Sequence, residues 1–202
     1  MLQRKYFPGT KPLPGVEALL QNLANTTNPK VQIALATSSH KNNFVLKTTH
    51  LSEMFSIFAE QHRVMGDDTR IQPGRGKPAP DIYLLALKTI NDSLSKRGHQ
   101  EIKPEECLVF EDSVPGVEAG RRAGMQVVWC PHPELLIEYK GREKEVLAGL
   151  TGEHNETTTK PEVDMTGPTV VRAPGKLDDD WAILVKTLEN FPYERYGINV
   201  KT

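Results

Sequence analysis

Two adjacent carboxylates, Glu111 and Asp112, directly follow the apolar run Cys107–Phe110. Like charges side by side are unfavourable unless solvent, a cation or a metal compensates them. The residues S-V-P-G come next, a composition typical of a turn that leads into a helix. Capping that helix needs only one polar side chain, so Glu111 has no role in it. Carboxylates at the end of a strand suit Mg²⁺, which takes one or two of them together with substrate phosphate and water.

A second candidate for chemistry is Lys77, in the loop Gly76–Asp81, which has the sequence G-K-P-A-P-D. Two prolines restrict this backbone, so the lysine is a positive charge in a rigid loop. Such a charge is suited to stabilising a phosphoryl group during its transfer. The alternative is an ordinary solvated loop lysine. Asp81 is expected to cap the following helix or to pin the loop.

A third polar cluster consists of Thr37, Ser38 and Ser39, directly after the apolar run Val31–Ala36. A hydroxyl at the end of a strand, together with the N–H groups of the next helix, can hold a phosphate oxygen. Taken alone, the cluster is more typical of a serine or threonine turn that caps a helix.

The apolar pattern predicts the elements that must position these clusters. It predicts helices over 15–25, 41–48, 81–90, 114–123 and 134–150, and strands over 31–36, 107–110, 127–130 and 181–185. Helices alternate with continuously apolar strands, which predicts an α/β fold with a parallel sheet covered by helices on both faces. Ligands of such sheets bind outside the carboxyl ends of the strands, where the three clusters fall.

The order of hydroxyl turn, loop lysine and acidic pair resembles the haloacid dehalogenase (HAD) superfamily, whose core is Rossmann-like. Thr37 matches its second motif, Lys77 its third, and Glu111 with Asp112 its fourth, in the form E-D-S-x-x-G. The segments ALATSS, MGDD, GKPAPDIY, CLVFEDSVPGVEA, AGMQVV and ENFPYERYGI are similar to the pseudouridine-5′-phosphatase-like branch. The resemblance covers about Tyr6 to Cys130 and the last twenty or so residues.

This resemblance implies a phosphatase that acts on a small phosphorylated metabolite, a nucleoside or sugar phosphate. It gives Asp112 the role of Mg²⁺ ligand, and it lets Glu111 support the metal or a metal-bound water. Lys77 would neutralise the nucleophile and the phosphoryl group. Thr37 would bind phosphate together with Ser38 and the N–H groups that follow. The implied reaction transfers the phosphoryl group to an aspartate and then hydrolyses the aspartyl phosphate.

The family's first motif, an apolar strand followed by D-x-D-G, has no counterpart in these 202 residues. Neither Asp164–Gly167 nor Asp178–Asp180 matches it in context. We therefore expect the first strand and the helical cap to be absent, and the isolated chain to be inactive. Strand edges left unpaired would favour self-association. The alternative is a naturally truncated, non-catalytic protein that binds a phosphate ligand or a protein, so the sequence leaves enzymatic activity open.

Composition predicts three segments: a partial core over 1–150, a mobile insertion over 151–180, and a last core strand with a tail over 181–202. The insertion could alternatively make partner contacts. A net charge of −1 indicates neither a nucleic-acid nor a membrane partner. There is no signal-like N-terminus, and we expect a cytoplasmic protein with Cys107 and Cys130 as reduced, buried thiols.

Overall fold

The structure is a computed structural model that describes residues 6–152 and 174–201. The chain divides into two compact units. Unit 1 comprises Met1–Gln72, Leu85–Glu101 and Lys186–Thr202, and unit 2 comprises Pro73–Leu84 and Ile102–Val185. Most of the insertion expected over 151–180, including Asp164–Gly167, lies outside the described residues.

Seven α-helices and five strands can be followed through the described residues. The helices are α1 (Val16–Asn25), α2 (Lys41–Thr48), α3 (Ser52–Phe55), α4 (Asp81–Ser95), α5 (Val114–Arg122), α6 (Pro133–Glu138) and α7 (Glu143–Ala148). The strands are β1 (Leu35–Ala36), β2 (Arg63–Val64), β3 (Leu108–Glu111), β4 (Gln126–Trp129) and β5 (Ala182–Leu184). None of these helices is both long and apolar enough to span a bilayer.

The strands form two parallel sheets. In unit 1, β1 pairs with β2, with Leu35 opposite Arg63. In unit 2 the order is β3-β4-β5, and β4 pairs in parallel with both neighbours. Parallel pairing requires a crossover between the strands, and α5 connects β3 to β4 in this way. The predicted α/β class is confirmed. Strands β1 and β3 belong to different sheets.

Most predicted elements are present, but the strand expected over 31–36 is limited to Leu35–Ala36, and one helix was wrong. The single helix expected over 134–150 is two short helices, because the chain turns between them and Gly141 adopts a φ of 83°. A left-handed glycine ends a helix at little cost, whereas other residues resist that conformation. Strand β2 was not predicted, since its two residues are too short to show a pattern.

The buried apolar residues follow the elements of each unit. Unit 1 buries Leu19, Leu23, Phe44, Phe58, Val64, Ala86, Leu87, Ile90, Leu94, Leu188 and Phe191. Unit 2 buries, among others, Val109, Val117, Val127, Val128 and Trp129, which come from β3, α5 and β4. Strand β4 has three consecutive buried residues, as expected of a parallel strand covered on both faces.

Both cysteines are free thiols; Cys130 is buried as expected, whereas the expectation for Cys107 was wrong, because it is only half-buried. Burial, followed by the charges of Glu106 and Glu105, raises the pKa of Cys107 to about 11. Burial and the charge of Asp112 also raise the pKa of Cys130. We expect Cys107 to react with iodoacetamide at pH 8 roughly two orders of magnitude more slowly than a free thiol of pKa about 8.5. Intact-mass measurements should show a rate that rises up to about pH 11; equal rates for native and urea-unfolded chain at pH 8 would contradict this.

Candidate active site

The carboxylate of Glu111 is buried at the carboxyl end of β3, with its side chain 5% exposed. Its Oε1 atom accepts hydrogen bonds from the Lys77 ammonium and the Tyr83 hydroxyl. Its Oε2 atom accepts from the backbone N–H of Ser113 at 3.2 Å and from the Ser113 hydroxyl at 2.9 Å. A carboxylate offers about four acceptor positions, and protein donors fill all of them.

Helix α5 begins in a way that fixes this carboxylate. Ser113 is the N-cap residue, and its hydroxyl oxygen accepts from the Gly116 N–H at 3.2 Å. A Cβ atom at Gly116 would overlap the carboxylate of Glu111. The E-D-S-x-x-G spacing therefore places a residue without a side chain where the carboxylate turns back over the first turn of the helix.

The loop that carries Lys77 is also held by an ion pair between Arg75 and Asp81. Arg75 donates from Nε and Nη2 to the two carboxylate oxygens of Asp81, at 2.8 and 2.6 Å. This bidentate pair is a strong, directional form of ion pair. Asp81 is the first residue of α4, so the expectation that it pins the loop is confirmed. The Lys77 ammonium lies 4.9 Å from the centre of the Tyr83 ring, which gives it a favourable cation–π contact.

Tyr83 was not singled out by sequence reasoning, because it looked like one more apolar residue of α4. It is 7% exposed, and burial followed by the charge of Glu111 raises its pKa well above the ordinary range. The hydroxyl therefore keeps its proton and serves as a donor. Its position two residues after Asp81 was the only available signal, and that signal does not distinguish a phenol donor from a core aromatic residue.

Asp112 is exposed beside this buried network. Its negative charge contributes to the raised pKa of both Tyr83 and Cys130, which places the carboxylate near both groups. No group of three or more histidine, cysteine or acidic residues suited to a metal occurs in the described part of the chain. An exposed carboxylate is the kind of oxygen donor that Mg²⁺ takes, so Asp112 is compatible with such a site. The acceptor positions of Glu111 are filled by protein donors, so none of them is left for a metal ion.

The hydroxyl turn belongs to unit 1 and directly follows β1. Thr37 donates its N–H to the carbonyl of Val64 in β2, at 3.0 Å. Its Oγ1 atom accepts from the N–H of Ser39 at 3.2 Å. Gly66 packs so closely on the turn that a Cβ atom there would overlap the carbonyl of Ser38. The turn is therefore fixed by the neighbouring strand and by the loop that follows it.

In the acidic run Asp178–Asp180, the first two carboxylates are engaged in ion pairs. Asp179 forms an ion pair with the buried Arg121 and accepts from the N–H of Lys176 at 3.0 Å. Asp178 lies 2.8 Å from the Lys144 ammonium. These ion pairs hold the segment that precedes β5 in place.

The sequence is similar to known hydrolases and phosphatases. Residues 4–124 match the family model for haloacid dehalogenase-like hydrolases. A probable pseudouridine-5′-phosphatase of Saccharomyces cerevisiae is 49% identical over 122 residues, which cover 60% of this chain and 48% of the relative. A probable pseudouridine-5′-phosphatase of Drosophila melanogaster is 44% identical over 139 residues, covering 68% and 54%.

A more distant relative carries a different name. The mitochondrial (DL)-glycerol-3-phosphatase 1 of Arabidopsis thaliana is 37% identical over 144 residues, covering 71% of this chain and 44% of the relative. The chain thus spans about half the length of the curated relatives it matches.

Proposed function

Because this chain belongs to the haloacid dehalogenase-like hydrolase family, we propose that it carries part of the site of a Mg²⁺-dependent phosphatase. The proposed substrate is the phosphate monoester of a nucleoside or sugar, of the pseudouridine 5′-phosphate type. Two relatives with pseudouridine-5′-phosphatase names, at 44% and 49% identity, favour this substrate over the glycerol phosphate of the 37% relative.

The observation that carries the proposal is the buried ammonium of Lys77 at the end of β3. The Lys77 side chain is 9% exposed, and Glu111 and the face of Tyr83 hold it. A cation fixed before substrate arrives stabilises developing negative charge without reorganisation during the reaction. Phosphoryl transfer depends mainly on such positioning and charge stabilisation.

The other proposed roles belong to residues at strand ends. The Thr37 hydroxyl and the N–H groups of its turn would bind phosphate oxygens, with Ser38 alongside. Asp112 would hold Mg²⁺, which when bound neutralises phosphate charge. Glu111 would hold the Lys77 ammonium in place at the end of β3. None of the described residues replaces the nucleophilic aspartate that the family's covalent mechanism requires.

The second candidate is a non-catalytic protein that binds a phosphate ligand or a protein partner. The lack of a D-x-D-G strand within the 202 residues favours it. Self-association through a strand edge is part of this second proposal.

Two measurements test the proposed function. We expect no Mg²⁺-dependent turnover of p-nitrophenyl phosphate by the 202-residue chain, and turnover abolished by Asp112→Asn would show that a nucleophile has been overlooked. Sequencing the 5′ end of the transcript then separates the candidates. A reading frame that places an apolar strand and D-x-D-G before Met1 should give a protein that hydrolyses pseudouridine 5′-phosphate. A transcript without it, or an inactive longer product, would favour the binding protein.

A further inference from the structure

The side chains of the hydroxyl turn, Thr37–Ser39, are arranged as hydrogen-bond donors. The Thr37 oxygen already accepts from the Ser39 N–H at 3.2 Å, and the Ser39 oxygen accepts from the Lys47 ammonium at 3.1 Å. Neither hydroxyl donates to an acceptor among the residues the structure describes. A hydroxyl whose oxygen accepts from a protein donor still has its hydrogen to give. Both hydrogens are therefore available to an added anion.

Lys47 brings positive charge to this turn. It lies in α2, is half-buried, and has its ammonium 4.6 Å from the centre of the Phe7 ring. No carboxylate pairs with it within residues 6–152 and 174–201. The sequence from His40 to His50 holds two lysines and two histidines but no acidic residue. A partly desolvated ammonium on a hydroxyl, without a counter-ion, is a favourable place for an anion.

We infer that Lys47 is a positioning residue of the phosphate site: it orients the Ser39 hydroxyl as a donor and supplies the cation for a dianionic phosphate group. The inference rests on the proposed function, because it assigns the hydroxyl turn to phosphate binding. It adds a residue that the motif pattern does not contain, ten positions after Thr37. Helical geometry explains the spacing: α2 carries Lys47 two turns past its start, and the long side chain reaches back to the turn.

The carboxylate of Asp67, near the hydroxyl turn, should weaken anion binding there, whereas Lys47 should strengthen it. Asp67 accepts from the backbone N–H of Lys41 at 3.0 Å, at the first residue of α2. It thereby occupies one of the N–H groups that an anion could use, and its charge repels an anion at the same place. Lys47 and Asp67 should therefore change phosphate affinity in opposite directions when each is neutralised.

The experiment is a titration of the ¹⁵N-labelled full chain with inorganic phosphate, followed through the amide signals of residues 37–41. Lys47→Met should weaken binding about tenfold, the effect of losing one charge-assisted contact. Lys47→Arg should restore most of this affinity, because arginine keeps the charge and the donors. Asp67→Asn should strengthen binding about threefold, since it removes a like charge beside the anion at an exposed site. The control, Lys88→Met, removes an exposed lysine elsewhere in unit 1 and should change nothing.

The outcomes separate this inference from the proposed function. If the wild-type chain binds phosphate at the turn and Lys47→Met binds it equally well, the role of Lys47 is refuted while the phosphate site stands. If the wild-type turn signals do not move at tens of millimolar phosphate, both are refuted. A purely structural lysine would lower the unfolding temperature of Lys47→Met but would leave the phosphate affinity of the folded chain unchanged. Asp67→Asn tests the placement of the anion beside the first turn of α2. An Asp67→Asn chain with unchanged or weaker binding therefore also contradicts the inference.

Discussion

Replacing Lys77 by methionine is expected to lower the free energy of unfolding by about 3–5 kcal/mol, one of the largest effects of any single substitution in this chain. The Lys77 and Glu111 side chains are 9% and 5% exposed. Methionine has a similar length but no charge, so the Glu111 carboxylate would remain buried without its cation. Tyr83 and Ser113 would still donate to it, but neutral donors do not compensate a full negative charge at a site with little water.

Lys88→Met is a matched control, because it separates the effect of a buried ion pair from the effect of losing a lysine side chain. Lys88 forms an ion pair with Asp92 at 2.8 Å, but the two side chains are 59% and 55% exposed. Lys88→Met should therefore cost no more than about 1 kcal/mol. Urea unfolding followed by circular dichroism measures both. Adding Glu111→Gln to Lys77→Met removes the stranded charge and should recover part of the loss. Equal costs for Lys77→Met and Lys88→Met would show that the pair does not contribute.

The sequence was a good guide wherever a local pattern was sufficient. Helix α2 occupies the predicted residues 41–48, and β3 runs directly into the acidic pair as expected. Gly124 stops α5 with a φ of 77°, as a left-handed glycine does. The resemblance to the HAD superfamily is confirmed by the family match. The predictions of α2, β3 and the end of α5 rest on neighbours in the chain, which propensity and periodicity report directly.

Contacts between distant residues were beyond that reasoning. Lys77 was singled out as a fixed charge in a rigid loop, but its partner Glu111 is 34 positions away, and no local pattern indicates that contact. The role of Tyr83 depends on burial and on the direction of one hydroxyl, neither of which periodicity specifies. From the sequence, Glu111 was expected to support the metal or a metal-bound water beside Asp112. The structure gives it four protein donors, which a sequence pattern could not foresee.

Gly116→Ala is the second substitution with a large expected effect, and it tests why the acidic motif ends in glycine. The added methyl group would overlap the Glu111 carboxylate, and the φ of Gly116 is not in the left-handed region, so the cost is steric. In an ordinary helix the same change would stabilise by up to about 1 kcal/mol. Here we expect a loss of about 3 kcal/mol, because overpacking costs about 1–3 kcal/mol and shifting the carboxylate also weakens its hydrogen bonds.

Gly76→Ala is the matched control. Gly76 lies one residue before Lys77, and its φ is not in the left-handed region. Apart from Gly76 and its two chain neighbours, no described residue has a heavy atom within 4 Å of where the Cβ would be. Alanine there should leave stability within about 0.5 kcal/mol of wild type. Combining Gly116→Ala with Glu111→Ala gives a decisive comparison, since it removes the group with which the methyl collides. If the overlap is the cause, Gly116→Ala will cost far less in the Glu111→Ala background than in the wild type. If it costs the same in both, another constraint holds the glycine in place, and the spacing of the motif needs a different physical explanation.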